Sequence, residues 1–328
     1  MGFTPAVQGP RESTSCLEGI HLASCSSEEI RGADLLAWRH QLLAEGGRAV
    51  DFDWLLDLGG GLPWQQLQAL RLHPERTVTL QSSRQRLGDL WRRHLHRAEP
   101  LQYLVGRCPW RDLELTVAPG VLIPRQETEL LIDVALALLP PGEGCSPPLL
   151  WADLGTGSGC LAIALGSALP GTRGVAVEAS PQAERLARLN LSRAGLLERV
   201  TLVAGNWWDP LEPLWGRLNL VVSNPPYIPS ATVAMLDPVV RDHEPHQALD
   251  GGPDGLVAIR SIVAGAPSAL APGGLLVMEH HHDQSPFVLD LLRGAGLHAV
   301  RAHCDLEGVP RFASARRGLD APPPGAPP

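Results

Sequence analysis

The sequence predicts an α/β fold, an open and mostly parallel sheet with helices on both faces, behind a small helical N-terminal domain. Three observations predict it. From 149 onward, apolar runs of strand length alternate with stretches of helical length, the signature of repeated βα units. From 28 to 97, helical stretches follow one another with Pro and Gly between them. The chain has 328 residues, 44% of them hydrophobic and 19% charged, which gives an ordinary globular protein room for two domains.

In chain order, residues 1–27 are rich in Ser, Gly, Pro and Glu and are expected to be disordered, like the Pro-, Ala- and Gly-rich tail, 319–328. Ser27 reads as an N-cap with Glu28 and Glu29 in the first turn of a helix. Its apolar face is Ile30, Ala33, Leu36 and Ala37, and it stops at Gly46-Gly47. Helical stretches at 54–58, 64–72 and 81–96 complete a docking domain over 28–97. Arginines 71, 76, 84, 86, 92, 93 and 97 face only Glu75 and Asp89 in that stretch, as a solvated helix face or as a contact for an acidic protein or RNA. Alternation around Gly106 and Pro109 suggests a β-hairpin linker over 98–123. Strands at 149–153, 174–177, 200–203, 218–222, 275–278 and 298–302, with helices at 159–169, 181–194, 254–270 and 285–295, fill a domain over 124–318.

Composition excludes several chemistries. The chain has no lysine, so Schiff-base, pyridoxal phosphate and P-loop lysine chemistry are out. Six cysteines without a C-x-x-C pair argue against a zinc site and a disulfide framework. No metal site is expected at His280, His281 and His282 either, because consecutive strand residues point to opposite faces. A formal charge of -8 disfavours stable binding to long nucleic acid. No apolar run approaches the ~20 residues that span a bilayer, and a cytoplasmic protein without membrane contact is expected.

Two strand ends carry the chemistry. The first runs into Asp153-Leu154-Gly155-Thr156-Gly157-Ser158-Gly159, a turn that lets a ligand approach the backbone at the mouth of a helix. Gly157, Gly159 and Ala162 also fit a dinucleotide fingerprint. Asp153, however, would repel a pyrophosphate and suits the ammonium of a methionine moiety, which favours S-adenosylmethionine. Glu178 ends the second strand, where an acidic side chain accepts ribose hydroxyls. The fourth strand runs into Asn224-Pro225-Pro226-Tyr227. Two prolines hold that turn extended, leaving the Asn224 side-chain oxygen and the Pro225 carbonyl to accept from a planar –NH2 group while Tyr227 packs on its face.

With these motifs the chain resembles the HemK/PrmC family, the release factor glutamine N5-methyltransferases. The likeness covers about 30–316 and includes 99–106, Val121 to Arg125, Glu127-Thr128-Glu129, Ala248-Leu249, Gly251-Gly252 and Asp254-Gly255-Leu256. It implies a Rossmann-like, seven-stranded class I methyltransferase domain, S-adenosylmethionine as donor, and the glutamine of the Gly-Gly-Gln loop of peptide chain release factors as acceptor. Carried over, Gly155 to Gly159 line the cofactor, Glu178 takes the ribose, Trp207 packs by the adenine, and Asn224 to Tyr227 hold the glutamine. The chain departs from the family pattern at Glu178, usually aspartate, at Gln126, usually proline, and at the Trp207-Trp208 pair. Arg125, Glu127 and Glu129 either shape the rim of the site or order the hairpin. The rival readings are an N-methyltransferase for an exocyclic amine of a nucleic-acid base, one for a ribosomal-protein glutamine, and a non-catalytic cofactor-binding module.

Overall fold

A computed structural model describes residues 27–139 and 149–319, and the chain divides into two compact units between Leu95 and His96. Apart from Ser27 and Leu319, the ends expected to be disordered lie outside the described residues.

The first unit corrects the reading of its opening segment. Glu28–Arg31 is a strand, β1, paired antiparallel with β2, Thr77–Leu80, and the helix α1 starts only at Gly32 and runs to Ala44. The extended form wins because β2, with the β-branched run Thr77-Val78-Thr79, offers it a partner. Glu28 still serves a helix start, though not its own: its carboxylate accepts from Arg84 N at 2.8 Å and from Arg84 Nε at 2.6 Å, at the head of α4, Arg84–Arg97. The buried face of α1 is accordingly Leu35 and Leu42, and Ala33 and Ala37 are exposed. With α2, Ala49–Leu58, and α3, Trp64–Leu72, it closes on a core around Phe52 and Trp91, whose rings meet edge to face at 5.0 Å. Arg71, Arg84, Arg92 and Arg97 pair with Asp53, Glu28, Glu45 and Glu99, which leaves the basic stretch far less free charge than its sequence suggests.

The second unit begins with a one-turn helix, α5, Leu101–Val105, and the expected hairpin, β3, Arg107–Trp110, and β4, Leu113–Thr116. The hairpin is more than a linker, since Trp110 and Leu115 are buried in the core of this unit. Then follow α6, Glu129–Leu138; β5, Leu150–Leu154; α7, Cys160–Ala168; β6, Arg173–Glu178; α8, Pro181–Arg193; β7, Val200–Ala204; and β8, Leu218–Ser223. Three one-turn helices, α9 (Ser230–Val233), α10 (Pro238–Arg241) and α11 (His246–Leu249), precede α12, Val257–Ala269, and β9, Leu270–Glu279. Helix α13, Ser285–Gly294, and strands β10, His298–Cys304, and β11, Pro310–Arg316, complete it. The sheet order is β10-β11-β9-β8-β5-β6-β7, with only β11 antiparallel to its neighbours. This is the seven-stranded Rossmann-like sheet of class I methyltransferases.

Both faces are apolar, as a parallel sheet requires. Ala152, Leu154, Val221, Leu276 and Met278 face Ile259 and Ile262 of α12 and Leu292 of α13, and Trp151, Leu220, Val222, Leu275 and Val277 face α6 and α7. Besides the one-turn helices, α6 and β11 were not anticipated. Helix α6 hides in an almost uninterrupted apolar run, which shows no single-faced period because the sheet and its neighbours bury much of it. Strand β11 starts with Pro310, tolerated as the first strand residue. Among the described residues, no helix is long and apolar enough to cross a membrane.

The interior is tight where β6 passes β5. A Cβ on Gly174 would lie 2.2 Å from the indole of Trp151, which is 1% exposed. Gly174→Ala is expected to cost about 1–3 kcal/mol by overpacking, read as a melting temperature lowered by several degrees; an unchanged melting temperature would show that the indole can move aside.

Candidate active site

Strand β5 leaves the sheet at Gly155, where φ is +74°. A Cβ there would lie 3.1 Å from Cζ3 of Trp207, so the indole lies close against the loop. Trp207 is itself at φ +41°, a left-handed conformation that bulky side chains rarely adopt and that concentrates at functional sites. Trp208 is buried in the core, where Nε1 donates to the carbonyls of Ser261 and Ile262 at 3.2 and 3.1 Å.

Glu178, at the end of β6, braces the glycine loop. Its Oε2 accepts from Gly157 N and its Oε1 from Ser180 N, both at 2.8 Å. Asp153 lies fully buried behind the loop: Oδ2 accepts from Thr156 Oγ1 at 2.5 Å and Oδ1 has no partner. Burial pushes its carboxyl up to about 7, with the Thr156 bond pulling the other way and the Glu178 charge adding to the rise. Thr156 and Ser158 are buried too and build the loop from behind; the Ser158 carbonyl accepts from Asn190 Nδ2 at 2.9 Å, and Gly159 caps α7.

Beyond β8, Asn224 Nδ2 donates to Thr128 Oγ1 at 3.0 Å, and among the described residues no hydrogen bond reaches the Pro225 carbonyl. Ile228 N donates to Leu249 O, and Gly251 N to Ile228 O, which staples the turn to the Gly251-Gly252 segment. At Gly255, φ +74°, a Cβ would lie 2.2 Å from the Tyr227 carbonyl, so only glycine fits behind the turn. Thr128 Oγ1 donates onward to Glu279 Oε2 at 2.7 Å, and Tyr227 Oη donates to Glu279 Oε1 at 3.0 Å. Glu279 ends β9 and is 1% exposed. Burial pushes its carboxyl up to about 7 against the pull of both hydroxyls and of Arg311. Burial, reinforced by that carboxylate, raises the Tyr227 hydroxyl and keeps it protonated.

One cleft gathers these strand ends. Gly155, Gly157, Glu178, Trp207, Asn224 and Pro226 line it, and Val121, Leu122 and Gln247 close it. The closing segment is fixed by Tyr103 Oη, which donates to Val121 O at 2.6 Å, and by Glu244, which accepts from Ile123 N at 3.1 Å and from Arg125 Nη2 at 2.6 Å. Arg125 does not itself line the cleft; it pairs with Glu244 behind the closing segment, and its carbonyl accepts from Trp110 Nε1 of the hairpin at 2.7 Å. Glu129 orders the hairpin, its Oε1 accepting from Arg111 N at 2.8 Å. Gln126 offers its carbonyl to Glu129 N at 3.0 Å, a bond that a proline there would leave intact.

Glu178 is the one charged side chain among the described residues lining the cleft. A pyrophosphate would find no cation there, whereas a positively charged ligand finds a carboxylate. The histidine run does not line the cleft: His280 is buried with Nδ1 2.8 Å from His281 O, and His281 pairs with Asp283 at 2.6 Å and sets its ring 6.3 Å from that of Tyr227. Among the described residues, no three His, Cys, Asp or Glu side chains are grouped to hold a metal ion. Sequence reasoning missed Thr128, Glu244 and Glu279 as parts of the site. Glu279 carries the signal that singled out Glu178, an acidic residue ending an apolar strand, but the histidines after it drew attention away.

Residues 149–240 match the family model for the methyltransferase small domain. A release factor glutamine methyltransferase of Prochlorococcus marinus is 50% identical over 284 residues, 87% of this chain and 96% of that protein. Proteins of the same name from Gloeobacter violaceus and a Synechocystis species are 44% and 38% identical, over 84% and 88% of this chain and 94% and 97% of their own lengths.

The two near-neutral carboxyls make a test of the electrostatics. An unfolded glutamate titrates near 4.5, so above that pH the native chain still holds on Glu279 a proton that the unfolded chain has lost. Stability from this group is complete below about 4.5 and is lost as pH rises through about 7. Glutamine never ionises. The melting temperature of Glu279→Gln relative to the parent is expected to rise between pH 5.5 and 8.5, by an increment worth roughly 2 kcal/mol; a difference independent of pH would contradict the raised carboxyl.

Proposed function

The chain belongs to the release factor glutamine methyltransferase family, and from that premise we propose that it transfers a methyl group from S-adenosylmethionine to the side-chain amide nitrogen, N5, of the glutamine in the Gly-Gly-Gln loop of peptide chain release factors. The observation that carries the reading is the meeting in one cleft of the glycine loop after β5 with Asn224 and Pro226 of the turn after β8. Such a crevice, outside the carboxyl ends of parallel strands where the chain order reverses, is where open α/β sheets bind ligands.

The residues present fit the donor. Gly155 and Gly157 leave the backbone approachable, Trp207 supplies an aromatic wall, Glu178 a carboxylate for the ribose, and the unpartnered Asp153 Oδ1 an acceptor behind the loop. When bound, S-adenosylmethionine supplies a methyl group on a cationic sulfur, which suits a cleft whose single lining charge among the described residues is negative.

An amide nitrogen is a weak nucleophile because its lone pair is delocalised, so this chain's contribution is positioning. Asn224 Oδ1 and the Pro225 carbonyl each accept one hydrogen of the substrate –NH2, and both are fixed before the substrate arrives. As positive charge grows on the nitrogen, those two dipoles hold it more strongly. Tyr227 contributes its ring; its hydroxyl is committed to Glu279. The surplus proton is acidic and leaves to water. The helical unit, which contributes none of the cleft residues, is assigned to docking of the release factor, and the work of such an enzyme belongs to the cytoplasm.

Labelled S-adenosylmethionine offered with release factor, ribosomal protein and DNA is expected to label the release factor; label on either of the others instead would replace the substrate named here. Asn224→Ala is expected to lower kcat by roughly 100- to 1,000-fold, as for loss of one preorganised polar partner, with cofactor affinity and melting temperature near parental; joint loss of all three would demote Asn224 to a turn residue. Glu178→Ala is expected to weaken S-adenosylmethionine binding by about 1.5–3 kcal/mol in calorimetric titration, and unchanged affinity would remove it from the ribose site.

A further inference from the structure

We propose that Thr128 and Glu279 fix which way the Asn224 amide points, so that Asn224 meets the substrate only as a hydrogen-bond acceptor and selects the –NH2 end of the glutamine amide over its carbonyl end. The inference rests on the reading of the cleft given above and adds to it two positioning residues that need not touch the substrate.

Counting protons fixes the orientation of the amide. An ionised carboxylate accepts and cannot donate. Glu279 is 1% exposed, with Thr128 Oγ1 at 2.7 Å from one oxygen and Tyr227 Oη at 3.0 Å from the other. Both hydroxyls therefore spend their protons on it. Thr128, itself 2% exposed, has a single proton, so the atom 3.0 Å away on Asn224 must be a donor, the Nδ2 amide. A planar amide carries its oxygen on the opposite side from its nitrogen, which turns Oδ1 away from Thr128. The donors run in one sense, from Asn224 to Thr128 to Glu279, with Tyr227 holding the other carboxylate oxygen. Turning the amide over would set its oxygen against a Thr128 oxygen with no proton left to share, in a buried place where an unmade hydrogen bond is costly.

The substrate poses the same two-ended problem. A glutamine amide has an oxygen at one end and an –NH2 at the other, and only the nitrogen is to be methylated. An acceptor at Asn224 prefers the nitrogen end. A carboxylate in its place, as in glutamate, would meet oxygen with oxygen. Orientation of Asn224 thus becomes discrimination in the substrate.

Burial raises the Glu279 carboxyl to about 7, so it is ionised, and can only accept, above that pH. The charged groups acting on it are Arg311 on β11, which favours ionisation, and Glu127 beside Thr128, which opposes it. Work at pH 8 keeps the carboxylate ionised.

The test compares the parent with Thr128→Ser, Thr128→Val and Glu279→Gln at pH 8, measuring kcat and KM on release factor, calorimetric S-adenosylmethionine affinity, melting temperature, and inhibition by a release factor whose Gly-Gly-Gln glutamine is replaced by glutamate. Thr128→Ser keeps the hydroxyl and is expected to stay within about threefold of parental kcat. Thr128→Val and Glu279→Gln are expected to lose roughly tenfold or more in kcat, one hydrogen bond's worth, with cofactor affinity unchanged. Inhibition by the glutamate factor should tighten relative to substrate binding in Thr128→Val. A Thr128→Val enzyme with parental kcat and parental discrimination overturns the proposal, and so does one that loses fold and cofactor binding together. A parent enzyme that leaves release factor unmethylated overturns the functional reading itself, before any variant is compared.

Discussion

The site depends on the parallel pairing of β5 with β8. These two strands come from opposite halves of the chain order, and Leu154 and Ser223 face one another at their carboxyl ends. Ser223 Oγ ties the two together by donating to Leu154 O at 2.7 Å in a fully buried position. Everything that carries chemistry hangs from that seam: the glycine loop continues β5, and the Asn224 turn continues β8. Neighbouring strands add Glu178 from β6 and Glu279 from β9. A slip of one residue along the seam would turn every buried side chain of a strand to the other face, so the apolar layers on both sides enforce the register that the site needs.

Around the seam, two carboxyls are held where burial works against their charge. Asp153 and Glu279 are both pushed up to about 7, and each is partly compensated by hydroxyl donors, Thr156 for the first and Thr128 with Tyr227 for the second. A core built for stability alone would replace them with apolar side chains. Their placement supports the two polar tasks of the site, a cleft that welcomes positive charge and an amide that keeps one orientation. The left-handed backbone at Trp207 belongs to the same pattern of local strain tolerated where a ligand is expected.

Much of this was legible in the sequence, and the exceptions are instructive. Strand ends β5, β6 and β8 were readable because parallel strands buried on both faces are continuous apolar runs, and the polar residues that end them stand out. Gly155, Glu178 and Asn224 were found in that way, Trp207 came from the family resemblance, and the four meet at one cleft. The segment at Glu28–Arg31 misled because a good helix-start pattern served α4 through space, at Arg84, instead of its own helix. Thr128 and Glu244 could not be placed, since each acts on residues distant in the chain, Thr128 on Asn224 and Glu279, 96 and 151 residues away, and Glu244 on Ile123 and Arg125, 121 and 119 away. No local period encodes such a contact. The arginine stretch at 71–97 looked like a basic face because the carboxylates that pair with it, Glu28, Glu45 and Asp53, lie earlier in the chain.

The central claim is that two fixed acceptors hold the glutamine amide by its nitrogen. The most direct measurement is a crystal structure of the protein with S-adenosylhomocysteine and a release factor, in which the distances from the substrate amide to Asn224 and Pro225 are read. The amide nitrogen is expected about 2.9–3.0 Å from both Asn224 Oδ1 and the Pro225 carbonyl, the normal N–H···O separation. A glutamine bound by its carbonyl oxygen to Asn224, or lodged away from the Asn224 turn, would contradict it.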